Sequence, residues 1–215
     1  MAQPDPIQAY DRFEQAYLTQ NYTSAKPTVP EITEVALWLM RTLLGEKGER
    51  HVAQHSWLRS HIVTARGRGF NGRQPGKRLI AGMGAAALGN AVSRGTLPAS
   101  FQRVVFASSS AEPLTPLFDG FGTRYIDLAD NNVFSALMAS GAIPYVFEGV
   151  YDIEGAGKGA FWDGGIIDYH FDLTRLPEDQ VWLYPHFNSR TTVGWFDKFL
   201  PCLLYTSPSP RDTMS

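Results

Sequence analysis

One stretch constrains the fold more than any other: Ala160-Phe161-Trp162-Asp163-Gly164-Gly165-Ile166-Ile167-Asp168-Tyr169-His170, where an aromatic strand end meets a carboxylate and two glycines. Phe161 and Trp162 read as the last residues of a strand. Gly164 and Gly165 permit positive φ and a sharp exit, and Asp163 is held at the corner between them. A carboxylate at a strand end is where α/β enzymes put chemistry. Asp and Gly are also ordinary turn residues, so the tripeptide alone reads first as a plain turn.

Upstream stands Ala139-Ser140-Gly141-Ala142-Ile143-Pro144-Tyr145-Val146-Phe147-Glu148, which reads as a helix end, a proline and an apolar strand. Taken together, the two blocks resemble the second half of a patatin-like phospholipase. That family carries an A-S-x-A-I-P segment, matched here by Ala139, Ser140, Ala142, Ile143 and Pro144. It then carries a hairpin and a W/Y-D-G-G turn, matched by Trp162, Asp163, Gly164 and Gly165. Ile166 to His170, the later Leu183-Tyr184-Pro185-His186-Phe187 and a segment of H-x-x-T-x-R-G-R-G form beginning at His61 are similar to a bacterial branch of the family. The resemblance implies a three-layer α/β fold with a mixed, largely parallel central sheet flanked by helices. It covers residues 1–201 as the C-terminal part of such a hydrolase domain.

A serine hydroxyl is a weak nucleophile at neutral pH and needs a base within hydrogen-bond reach. A carboxylate takes that role directly in a Ser–Asp dyad. The resemblance implies Asp163 as this base, with Gly164 and Gly165 as shape residues. Asp168 and His170 either orient Asp163, face the substrate, or cap the next segment. The family's serine sits in a G-x-S-x-G elbow, a strained strand-to-helix turn. No such spacing occurs in the chain: Ser140 is preceded at the needed position by Met138, and Ser93 by Ala91. No base stands beside Ser140 in sequence, and the resemblance treats it as packing. The elbow and the glycine-rich oxyanion loop are expected upstream of Met1, so the chain by itself is expected to be inactive.

The other end, Cys202-Leu203-Leu204-Tyr205-Thr206-Ser207-Pro208-Ser209-Pro210-Arg211-Asp212, resembles the translated adapter of a short-read sequencing library. Residues 202–215 are therefore expected to be an artefactual tail outside the fold. With 215 residues, 44% hydrophobic and 19% charged, the chain has the composition of one globular domain with a sizeable core. A net charge of −2 supplies no field for nucleic acid. The single cysteine, Cys202, rules out a disulfide framework and a cysteine metal site. No apolar run reaches the about 18 residues that a membrane span needs. A cytoplasmic place or a peripheral membrane contact is expected.

In chain order, residues 4–22 read as a turn and a helix, and residues 28–43 as a second helix with Ile32, Val35, Ala36, Leu39, Met40 and Leu43 on one face. His51 and His55 would share a helical face, but no third ligand accompanies them, and surface or capping roles are expected. Residues 60–66 read as a central strand, with Arg66 and Arg68 expected to pair with carboxylates. Gly82 and Gly84 form a partial dinucleotide fingerprint without the following acidic residue; a small-residue helix packed on the sheet is the better reading. Residues 103–107 and 123–128 read as strands. Asp130 or Asn131 is expected to cap a helix through Met138. Residues 146–153 and 159–163 read as a hairpin, and 181–184 as a further strand.

The expected function is serine acyl hydrolysis of a lipid or other carboxylic ester, without metal or organic cofactor. A non-catalytic protein that binds lipid or a partner through an aromatic surface (Trp195, Phe196, Phe199) is the alternative from another class. Nucleotide binding at Gly82 and Gly84 is the third.

Overall fold

A computed structural model describes residues 2–109, 111, 121–171, 183, 190–199 and 205–206. In chain order the elements are α1 (Pro6–Thr19), α2 (Val29–Leu44), α3 (Gly48–Ala53), β1 (His61–Gly67), α4 (Lys77–Val92), α5 (Leu97–Ser100), β2 (Phe101–Ala107), β3 (Thr123–Asp127), α6 (Val133–Ser140), β4 (Val150–Tyr151), β5 (Ala160–Asp163), β6 (Arg190–Thr191) and β7 (Tyr205–Thr206). Single 3-10 turns occupy Gly69–Gly72, Arg94–Thr96, Gly164–Ile166 and Trp195–Phe199.

The helix ends follow their sequence signals. Asp5 caps α1, accepting the Gln8 N–H, and Thr28 caps α2 in a reciprocal pair with Glu31. Gly45 closes α2 at φ 64, a conformation that glycine adopts without a Cβ clash. α6 differs in detail. Its start is organised by Asn132, whose side chain bonds the Ala129 N–H and the Asp127 carbonyl, rather than by Asp130 or Asn131.

Five strands form one sheet in the order β3-β2-β1-β5-β4, so β1 is central as its apolar run implies. Helices cover both faces. Along β1, Ile62 joins Val104, Phe106, Phe161 and the α6 residues Val133, Ala136 and Ala139 on one side; Ala65 joins Phe101, Trp162, Leu79, Met83 and Ala86 on the other. The period of two along each strand is what divides the core between the faces.

The sheet is mixed, but among the described strands it is not largely parallel. Only β2 and β3 run parallel, whereas β1–β2, β1–β5 and β4–β5 are antiparallel. The reason lies in two connections. β4 and β5 belong to a hairpin, which reverses direction by construction. After α4 the chain turns back a second time through Arg94–Thr96 and α5, and the Arg68 N–H bonds the Ser100 carbonyl at 2.9 Å. β2 therefore starts beside the end of β1, where a single crossover helix would have delivered it to the start.

The strand expected over residues 146–153 shrinks to Val150–Tyr151. Tyr145 takes a left-handed turn at φ 69, and a Cβ on Gly149 would stand 2.9 Å from the Trp162 ring, so the segment bends around that indole instead of extending. Most of residues 108–120 and the strand expected at 181–184, with Tyr184 to Phe187, lie outside the described residues. So does the expected tail, except for β7, which pairs antiparallel with β6. Among the described residues no helix is long and apolar enough to cross a membrane.

Candidate active site

The candidate site begins with an anchored strand. Trp162 is fully buried, and its indole N–H donates to the Asn71 carbonyl at 2.7 Å. Phe161 is equally buried against Phe106 on the opposite face. Both faces of β5 are thus locked one residue before Asp163. The Asp163 N–H donates to the Ala142 carbonyl at 3.0 Å, which ties the two sequence blocks of the resemblance together in space.

From there the chain drops into the turn at Gly164–Ile166. A Cβ at Gly164 would stand 2.5 Å from the Val63 carbonyl oxygen, so this position accepts only glycine without a shift of the central strand. The Gly165 N–H donates to Asp163 Oδ1 at 2.7 Å. Oδ1 thus orients the carboxylate, and among the described residues Oδ2 carries no hydrogen bond.

Asp163 lines a cavity of about 310 Å³ together with Gly164, Gly165, His61, Val63, Ser140, Asp168, Tyr169 and Phe171. Burial pushes the Asp163 carboxyl up from the ordinary carboxylate range, against the Gly165 N–H and the charge of Lys198, which hold it down. Lys198 reaches the site from the Trp195–Phe199 turn, with its ammonium 3.4 Å above the centre of the Tyr169 ring. A partly buried carboxylate with a raised pKa and an open oxygen is suited to accept a proton.

Ser140 shares this cavity, which sequence spacing alone did not show. It ends α6, where backbone carbonyls point outward and the helix dipole is negative. An alkoxide or oxyanion is disfavoured at that end, so the position suits packing or substrate contact rather than attack.

Of the three readings left open for Asp168, the structure favours none that involves Asp163. The Asp168 carboxylate receives Nε and Nη2 of the fully buried Arg103 at 2.5 and 2.6 Å, with Arg94 3.8 Å away. It serves as the counter-ion of a buried guanidinium while bordering the cavity. His170 Nδ1 lies 3.0 Å from the Thr192 carbonyl and 3.1 Å from the Thr192 N–H, tying the turn to the following segment. Asp197, also buried, accepts from Asn90 and Gly194 and pairs with Arg94. This chain of polar contacts is what holds the turn bearing Lys198 against the end of α4.

Arg103 and Lys198 were not singled out by the sequence. A cation opening the run Arg103-Val104-Val105-Phe106-Ala107 signals a buried charge in need of a carboxylate. Lys198 carries no such signal. Arg66 and Arg68, expected to pair with carboxylates, donate instead to the Lys158 and Pro98 carbonyls. His51 lies on α3 and His55 beyond its end, where the ring accepts the Leu58 N–H at 3.0 Å. Gly82 and Gly84 lie inside α4 rather than in a loop before it, so their N–H groups are spent in the helix and not presented to a phosphate. Among the described residues no three His, Cys, Asp or Glu side chains gather as metal ligands would.

No protein-family model, no curated protein and no solved structure matches the chain.

Proposed function

We propose that this chain carries the carboxylate half of a patatin-like serine acyl hydrolase, acting on carboxylic esters of lipids through a Ser–Asp dyad in a three-layer fold. The observation that carries the reading is Asp163: anchored through Trp162, oriented by the Gly165 N–H, facing a cavity with one oxygen open and its carboxyl pushed up by burial. In the dyad Asp163 takes the proton of a serine hydroxyl as that oxygen attacks the ester carbonyl, then returns it to the departing alkoxide. A water molecule deprotonated by the same carboxylate completes the cycle by hydrolysing the acyl-enzyme. Neither step calls for a metal or organic cofactor. On this reading the enzyme works in the cytoplasm or at a membrane surface, with the lipid ester as partner.

The reading requires a serine in a G-x-S-x-G elbow, which residues 1–215 do not contain. One read across the source locus, followed by hydrolysis of a short-chain p-nitrophenyl ester by the extended protein, tests this. An in-frame elbow with turnover supports the enzyme; a stop codon just before Met1 contradicts it. A second reading for the chain taken alone is a non-catalytic module that binds a lipid or protein, but the aromatic surface expected for it is not formed at Phe196, which is buried against Phe101 with Trp195 packed on the same cluster.

A further inference from the structure

The outer face of α4 and the turn preceding it form a surface that the hydrolase reading leaves unused. Leu79, Gly82, Met83, Ala86 and Asn90 turn inward. On the opposite side Ile80, Leu88 and Val92 are 60%, 75% and 88% exposed, and the exposed residues between them are Ala81, Gly84, Ala85 and Ala91. More than three turns of helix thus face water without a charge. A soluble surface helix ordinarily carries its charged residues there.

The N-terminal end of this ridge is basic. Arg68, Arg73, Lys77 and Arg78 are all exposed, and among the described residues none of the four forms an ion pair. Residues 51–111 contain eight Lys or Arg and no Asp or Glu, although the whole chain is slightly acidic. Phe70 stands among these cations, 56% exposed, and its Cβ packs against α4 beside Gly82. The loop is thus packed against the flank of α4, with the ridge itself aliphatic along its length and cationic at its head.

We infer that this face docks on an anionic lipid surface, with Ile80, Leu88 and Val92 entering the headgroup boundary while the exposed cations at its head, Arg68, Arg73, Lys77 and Arg78, meet lipid phosphates. The charge pattern selects this occupant. A nucleic acid would use the cations and leave the aliphatic ridge wet, whereas a second copy packed along the ridge would leave the cations unused. An anionic bilayer uses both, as interfacial helices with a basic flank do. The inference stands on this surface alone and does not depend on Asp163.

The test is co-sedimentation of the full 215-residue chain with vesicles of phosphatidylcholine alone, or of equal parts phosphatidylcholine and phosphatidylglycerol. The chain is expected to partition onto the anionic vesicles only, and to leave them as salt is raised. Replacing Arg73, Lys77 and Arg78 together by Gln should weaken partitioning by about a hundredfold, at roughly fivefold per cation. Leu88→Ser with Val92→Ser should also weaken it, with an unchanged far-ultraviolet spectrum showing that the exposed changes leave the fold intact. Absence of binding to anionic vesicles, or equal binding by either variant, would overturn the inference. A concentration-dependent dimer that ignores vesicles and is broken by the two serines would assign the ridge to a second copy instead.

Discussion

The N–H of Gly165 lies 2.7 Å from Oδ1 of Asp163, and a Cβ at position 165 would stand 3.1 Å from that same oxygen. One residue therefore both directs the carboxylate and leaves it room. Gly165→Ala is expected to tilt the carboxylate with little effect on the thermal midpoint, while ester turnover by the extended protein drops by about a hundredfold. Unchanged turnover would show that the carboxylate direction is set elsewhere.

Gly164 answers to a different constraint, the backbone of the central strand. With Val63 O 2.5 Å from the would-be Cβ, Gly164→Ala must push β1 and the turn apart. The expected cost is about 2 kcal/mol or more, read by urea unfolding. A variant as stable as the parent would mean the turn relaxes without moving the strand.

Much of this was legible from local chemistry. Helices form where residues 4–22 and 28–43 read as helical, and the Trp162-Asp163-Gly164-Gly165 corner forms where the aromatic-to-glycine switch put it. What escaped the sequence is non-local. The direction of β2 depends on a second reversal through α5, and a strand's alternation is the same whichever way it runs. The bending of residues 144–149 depends on the Trp162 ring. The role of Asp168 depends on Arg103, whose own position in a buried strand was a signal for such a partner. Lys198 arrives beside Tyr169 only because Asp197 is held by Asn90 and Gly194.

The Arg103–Asp168 pair is wholly structural on this account. Asp168→Ala leaves a guanidinium buried without its main counter-ion and should cost about 3–5 kcal/mol in chemical denaturation. Replacing both partners by aliphatic residues, Arg103→Met with Asp168→Leu, should recover most of that loss. A single variant that keeps full stability would contradict a structural role.

Asp163 should influence stability in the sense opposite to most carboxylates. Its folded-state pKa is raised above the unfolded value of about 3.9, so the fold binds this proton more tightly than the unfolded chain does. Its contribution is favourable below about 3.9 and is lost as pH rises through the raised value. Asp163→Asn is expected to melt above the parent at neutral pH and level with it near about pH 3. A lower melting temperature at neutral pH would mean that the ionised carboxylate is stabilised in the fold.

The central claim is that Asp163 is the base of an acyl hydrolase, and kcat for an activated ester, measured with the extended protein and its Asp163→Asn variant, addresses it most directly. The account predicts an intact fold and a fall of about a thousandfold or more, as when one member of a catalytic pair is removed. Turnover by Asp163→Asn within a few-fold of the parent would remove Asp163 from the chemistry and leave the turn as a structural corner.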